Sequence, residues 1–167
     1  ANKAFSIAFK TPPADDTGVF HILEHSVLCG SDKFPVKEPF VDLIKSSMQT
    51  FLNAMTYPDK TIYPVATTNE QDLYNLMDVY LNAVFCPLAM VDKAVFEQEG
   101  WHRDADGTVS GVVYNEMQGA LASPDAQLQN ALERAMFPDT AYGFVSGGDP
   151  ASIPALTCLL YTSPSPR

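Results

Sequence analysis

Residues 17–31, TGVFHILEHSVLCGS, hold two of the chain's three histidines, His21 and His25, with Glu24 between them. A spacing of four sets both imidazoles on one face of a helix, one turn apart. So placed, they can share a metal ion at about 2.0–2.1 Å each. Glu24 projects from the same side, beside the metal, where a carboxylate can act as general base on a water that the metal activates. The order is HxxEH, the inverse of the HExxH arrangement. The alternative is an incidental histidine pair on a buried helix, because Val19, Ile22, Leu23, Val27 and Leu28 make the segment largely core. Against that alternative, a carboxylate among apolar residues is costly unless its charge is compensated. A divalent cation compensates it.

A catalytic zinc site needs a third protein ligand and leaves one position for water. His102 and several acids are available, and GVVYNEMQGA offers Glu116 in a mostly apolar segment that turns from strand to helix. Spacing alone leaves Glu116 open between a ligand and an exposed first-turn glutamate favoured by the helix dipole. In FEQEGW, Glu97 and Glu99 are candidates to accept the second N–H of a metal-bound histidine. Trp101 and His102 read as packing at a helix end, and Cys29 as a small buried hydrophobe.

The elements that must position these groups follow from periodicity. AFSIAFK alternates Phe5, Ile7 and Phe9 with Ser6, Ala8 and Lys10, a half-buried strand. TPPADDTG is a loop. Thr17 is placed to cap a helix over 18–28, and Gly30 to stop it. SDKFPVKEPF reads as loop, and a short helix is predicted near 41–47, with Val41, Ile44 and Met48 on one face. TFLNAMTYPDKTIYPVAT reads as two strands around YPDK, with Pro58 and Asp59 suited to a type I turn. NEQDLYNLMDVYLNAVF is the clearest helix. Leu73, Leu76, Met77, Tyr80, Leu81, Val84 and Phe85 make its buried face, Asn69 its cap and Pro87 its stop. A second short helix is predicted over 92–98, helix onset near Tyr114, and a further helix after Ser123 with Pro124 in its first turn. VSGGDP is a loop. Strands in hairpins followed by runs of helices predict an α+β fold with a mixed or antiparallel sheet and helices packed on one face.

Composition bounds the function. With 167 residues and 46% hydrophobic residues, the chain can build a core. The net charge of −10 argues against nucleic acid and against an anionic membrane as partners. No apolar run approaches the length of a membrane span. Three widely spaced cysteines without CxxC indicate neither a zinc knuckle nor a thioredoxin motif. ANKAFSIAFK lacks an initiator Met and a signal peptide, so the chain reads as beginning inside a longer protein. CLLYTSPSPR, residues 158–167, continues no pattern and is expected to be a non-native tail.

Taken together, TGVFHILEHSVLCGS, TFLNAMTYPDKTIYPVATTN, FEQEGW and GVVYNEMQGA resemble the N-terminal catalytic domain of the pitrilysin and insulin-degrading-enzyme group of inverzincin metallopeptidases, in its presequence-protease and falcilysin-like branch. The blocks stand in the group's order and cover the chain to about Leu156. The resemblance implies that residues 1–157 form a truncated zinc-binding catalytic domain with a pitrilysin-like fold. It implies one zinc ion on His21, His25 and Glu116, with Glu24 as the base. It further implies that FLNAMT is an edge strand on which extended peptides pair, with Asn53 and Ala54 facing the substrate. Peptide hydrolysis is the implied activity, and short unstructured peptides such as cleaved organellar targeting peptides are the implied substrates. Targeting peptides are Arg-rich, which suits an acidic protein. The implied location is the mitochondrial matrix, with chloroplast stroma or cytosol as alternatives. Members of the group are much longer, and a C-terminal half closes over the substrate. That missing half is therefore an implied partner, and the isolated segment is expected to bind zinc weakly and cleave little. The segment between EGWHRDADG and TVSGVV is shorter than the group's. Two other readings stand beside this one. A non-catalytic structural relative would lose zinc ligands, which are intact here. A structural zinc domain would need a fourth ligand, and His102 is the only spare histidine.

Overall fold

A computed structural model describes residues 1–36 and 39–158, apart from the side chains at 39, 41 and 44. The face expected of Val41 and Ile44, and the expected tail from residue 159 onward, lie outside the described residues. In chain order the elements are β1 (Lys3–Lys10), α1 (Val19–Val27), α2 (Pro39–Ser46), β2 (Gln49–Leu52), β3 (Met55–Thr56), β4 (Lys60–Thr67), α3 (Glu70–Phe85), α4 (Lys93–Glu99), β5 (His102–Arg103), β6 (Val109–Ser110), α5 (Val112–Ala120) and α6 (Pro124–Met136). Short 3-10 turns lie at Leu88–Met90, Ala141–Gly143 and Ile153–Ala155. The fold is α+β, as expected, and its sheets are antiparallel.

β4 is the central strand. β1 pairs along its full length on one side, from Lys3 opposite Thr67 to Lys10 opposite Lys60. β2 and β3 share the other side, in one interrupted edge. The interruption at Asn53 and Ala54 departs from the single strand expected there, and Pro64 explains it. Asn53 N–H donates to the Pro64 carbonyl at 3.2 Å. A residue's N–H and C=O point to the same side of a strand, and proline has no N–H to return. The Asn53 carbonyl instead accepts from the Tyr80 hydroxyl at 3.3 Å.

Two apolar clusters hold α1 between them. On one side Val27 joins Tyr63, Val65, Leu76 and Tyr80, against which Phe5, Ile7 and Phe9 pack as the alternation of β1 predicts. On the other side Ile22 joins Phe96, Val113, Met117 and Ile153. Ile22 is wholly buried, a contribution of about 1.5–3 kcal/mol for such a side chain. With two faces in packing, the remaining face of α1 carries His21, Glu24 and His25.

Several boundaries differ from expectation. Gly18, not Thr17, occupies the N-cap of α1, and Thr17 bonds Asp15 instead. α2 begins at Pro39 and ends before Met48, which is exposed. α5 begins at Val112 and not near Tyr114. Phe85 is 63% exposed at the last turn of α3, where its ring meets that of Phe9 edge to face. Asn69 and Asp92 cap α3 and α4 through their side chains, to the N–H of Asp72 and of Ala94. Ser123 holds the cap position of α6 without a side-chain bond.

Candidate metal centre

His21 and His25 present their rings edge to face, with centroids 4.9 Å apart. α5 brings Glu116 opposite them. Glu116 Oε2 lies 3.8 Å from His21 Nε2 and 3.6 Å from His25 Nε2. One ligand atom from each of the three residues lies within 4.8 Å of the others, and no other such group exists among the described residues. Two ligands of one tetrahedral zinc ion, each at about 2.1 Å, are about 3.4 Å apart. The two distances from Glu116 exceed that spacing by only a few tenths of an ångström, and all three ligand atoms lie within 4.8 Å of one another, a set that side-chain adjustment can close on one ion. Glu116 lies in the second turn of α5, so the first-turn, dipole-favoured alternative does not hold.

The outer nitrogens of both rings are engaged, which leaves the Nε2 lone pairs for the cleft. His21 Nδ1 donates to the Gly147 carbonyl at 2.8 Å. His25 Nδ1 lies 3.3 Å from Glu99 Oε2. Such partners fix the tautomer and the orientation of a metal-binding imidazole. The Gly147 contact depends on a backbone approach. Gly18 has φ 67°, and a Cβ there would stand 2.6 Å from the Gly147 carbonyl oxygen. The α1 start can thus rest directly on the 147–148 loop. Likewise, a Cβ at Gly111 would stand 2.3 Å from the Gly100 carbonyl oxygen. That close contact sets the start of α5 and hence the height of Glu116.

Of the two glutamates in FEQEGW, Glu99 faces the site and Glu97 does not. Glu99 shares the buried face of α4 with Phe96, three residues earlier, while Glu97 pairs with Lys93 at the surface. Glu99 Oε1 also accepts from Gln98 at 2.8 Å and from the Cys29 thiol at 3.3 Å. Burial raises the Glu99 carboxyl, but the bonds from His25, Gln98 and Cys29 outweigh it and hold the group below the ordinary carboxylate value. Burial lowers His25, but the Glu99 bond and the charges of Glu24, Glu99 and Glu116 outweigh it and hold the imidazole above its ordinary range.

Glu24 is buried next to His25 on α1, and its Oε2 accepts from the Thr56 hydroxyl at 2.6 Å. His21, Glu24, His25 and Glu116 all line one cleft of about 900 Å³, with the β2–β3 edge, Asn53 to Tyr57, along its rim. Tyr57 N–H bonds Lys60 across the turn. By alternation from that pair, the backbone of Thr56 and of Ala54 faces away from β4, and that of Asn53 faces β4. His102 is elsewhere, on the β5–β6 hairpin against Ser110 and Asp104. It is not brought to the centre as a fourth ligand. Trp101 packs on the α4–α5 core and donates to the Leu156 carbonyl at 2.9 Å.

Sequence reasoning missed Gly147 and Thr56. The first acts through a carbonyl, which no residue pattern records, although the paired glycines of VSGGDP signal a close approach. The second is one threonine among many, singled out only by the packing of β3 on α1.

An antiparallel α+β domain with an HxxEH helix and a distal glutamate converging on one point defines an inverted-zincin type of site. Residues 11–144 match the family described as Insulinase (Peptidase family M16), and the chain belongs to that family. It is 59% identical over 161 residues to Protein HypA of Clostridium perfringens, covering 93% of this chain and 16% of that protein. It is 56% identical over 161 residues to Presequence protease 1, chloroplastic/mitochondrial, of Arabidopsis thaliana, covering 93% of this chain and 15% of that protein. It is 46% identical over 165 residues to the mitochondrial presequence protease of Mus musculus, covering 93% and 16%. Its fold is like that of the solved structure of pitrilysin, with a TM-score of 0.69 at 18% identity, over 95% of this chain and 16% of that one. The chain therefore spans about a sixth of the length of the relatives it matches.

Proposed function

We propose that this chain is the zinc-binding catalytic segment of a metalloendopeptidase that degrades unstructured peptides. The observation that carries the reading is the convergence of His21 Nε2, His25 Nε2 and a Glu116 oxygen on one point, beside the buried Glu24. A site with two imidazoles and one carboxylate suits zinc and leaves a position open. Zinc held there supplies Lewis acidity to a peptide carbonyl and lowers the pKa of a water. Glu24 takes the proton of the attacking water and returns it to the leaving amine. The Gly147 carbonyl and Glu99 hold the two imidazoles in register throughout. His102 lies away from this point, which disfavours a structural zinc domain, and the intact ligand set disfavours a non-catalytic relative.

The β2–β3 edge, which pairs with no further strand among the described residues, supplies substrate binding. An extended peptide pairing there is held through its backbone, and so with little regard to sequence. Asn53 and Ala54 line the cleft at that edge; the Ala54 N–H donates to Asn53 Oδ1 at 3.0 Å, and its outward carbonyl is the group offered to a peptide. The acidic balance favours basic peptides, of which cleaved organellar targeting peptides are one class. The plant and mouse relatives carry organellar names, and for a eukaryotic source we extend the reading to the mitochondrial matrix, with the chloroplast stroma as the plant counterpart. Residues 1–157 are the proposed catalytic domain, and the rest of a longer polypeptide is its proposed partner in enclosing substrate.

The test uses the full-length polypeptide containing this segment, with a basic unstructured peptide and a folded protein as substrates. Cleavage of the peptide alone, its loss on chelation and its return with one equivalent of zinc are expected. Cleavage that ignores the chelator would remove the metal, and no cleavage in the zinc-loaded protein would remove the activity.

A further inference from the structure

We infer that Thr56 is a positioning residue for the Glu24 carboxylate, and that it sets the base to the strand on which substrate pairs. The inference rests on the peptidase reading above. Thr56 Oγ1 lies 2.6 Å from Glu24 Oε2, 3.3 Å from Thr61 Oγ1 and 3.5 Å from the Phe20 carbonyl. A hydroxyl has one hydrogen, and the shortest contact, to a charged acceptor, takes it. Thr56 therefore donates to Glu24. Thr61 is buried and lies 2.8 Å from Thr11 Oγ1. With Thr11 donating to Thr61, and Thr61 to Thr56, three hydroxyls point in sequence toward the carboxylate. Each polarises the next, which strengthens the last bond.

The arrangement does something a lone carboxylate cannot. Glu24 has three rotatable side-chain bonds, and its work requires one oxygen at the reacting water. Anchoring Oε2 on Thr56 fixes the plane of the carboxylate and assigns Oε1 to the proton. Thr56 is also an edge residue of β3, with its backbone turned away from β4. One residue thus carries the base through its side chain and faces substrate through its main chain. A peptide seated on that edge is registered to Glu24 by the stiffness of a single strand, and small errors in such placement cost large factors in rate.

The test compares Thr56→Val, which keeps the shape and removes the hydroxyl, with Thr56→Ser, which keeps the hydroxyl, in the full-length protein. Thr56→Val is expected to lose about tenfold or more in kcat, a part of the roughly 10²–10⁴ that a positioned base supplies. Its KM and zinc content stay within about twofold, as expected where only transition-state alignment is lost. Thr56→Ser keeps kcat within about threefold, since the same donor remains. An unchanged kcat in Thr56→Val overturns the inference, as does a loss in Thr56→Ser equal to that in Thr56→Val, or a loss of zinc. Crystal structures of both variants read the same point without turnover. A single Glu24 orientation in Thr56→Ser and a displaced one in Thr56→Val are expected, and an unmoved Glu24 in Thr56→Val overturns the inference. If the parent protein cleaves nothing while Glu24 moves in Thr56→Val, the peptidase reading falls and the positioning contact is upheld.

Discussion

Glu99 Oε2 lies 3.3 Å from His25 Nδ1, the nitrogen on the far side of the ring from Glu116. The carboxylate orients the imidazole and raises the basicity of Nε2, the atom offered to the metal. Replacing such an outer partner typically costs about 10–100-fold in metal affinity. Glu99→Ala is therefore expected to weaken zinc binding by that factor, read by competition with a chromogenic chelator. An affinity equal to the parent's would show that the contact orients nothing.

The same pair makes the metal-free protein sensitive to pH. His25 is held above its ordinary value of about 6.5, so its share of stability is full below that pH and is lost as pH rises through its raised folded value. Glu99 is held below its ordinary value of about 4.3, so its share is full above that pH and is lost as pH falls through its lowered folded value. Between about 4.3 and 6.5 both shares are present. The melting temperature of zinc-free parent protein should exceed that of Glu99→Gln most in this window, and the difference should shrink on the alkaline side. A difference that grows with rising pH would mean that His25 is not held protonated by Glu99.

How far the site was legible beforehand depends on the kind of interaction that builds it. His21, Glu24 and His25 lie within one helical turn, and helix geometry alone sets them side by side. Glu116 comes from a helix whose placement rests on Gly111 touching the Gly100–Trp101 backbone, a tertiary contact that spacing cannot encode. Its apolar setting made it a candidate, and only the resemblance chose the ligand reading. Glu97 and Glu99 could be separated by one observation, that Glu99 and Phe96 share a helix face. Gly147 and Thr56 are reached across 126 and 32 residues, through a carbonyl and a hydroxyl that have no periodicity. The strands were legible from alternation, but the break at Asn53 came from the missing N–H of Pro64, a residue on the neighbouring strand.

Glu24→Gln keeps the shape of the base and a hydrogen-bond acceptor for Thr56, but cannot take up a proton. In the full-length protein, peptide hydrolysis should fall by about 10²-fold or more, the range for removal of a general base. Zinc content should stay at one equivalent, because Glu24 stands beside the ligands and is not one of them. Retained hydrolysis would remove Glu24 from the base role, and lost zinc would place it among the ligands.

His21→Ala and Glu116→Gln separate ligands from bystanders. Each should lower zinc content well below one equivalent in protein dialysed against dilute chelator, since two remaining side chains make an incomplete site. Glu116→Gln keeps the shape of the side chain and loses the charge, so packing is an unsuitable explanation for any zinc it loses. The half-exposed carboxylate makes this variant safe to fold. Full zinc occupancy in Glu116→Gln would leave the third ligand unassigned.

Gly18→Ala tests whether a backbone approach tunes the metal site. The position has φ 67°, and an added Cβ would stand 2.6 Å from both the Gly147 oxygen and Gly148 Cα. Both the left-handed conformation and the clash oppose a side chain, at a cost of about 1–3 kcal/mol. The α1 start must then move off the 147–148 loop, which draws the Gly147 carbonyl away from His21 Nδ1. Gly119→Ala is the matched control. It adds a methyl in the helix that carries Glu116, where nothing lies within 4 Å, and should stabilise by up to about 1 kcal/mol. Gly18→Ala is expected to lose stability in denaturant unfolding and to bind zinc more weakly, and Gly119→Ala to do neither. Equal zinc affinity in the two variants would mean that His21 keeps its orientation without the Gly147 carbonyl.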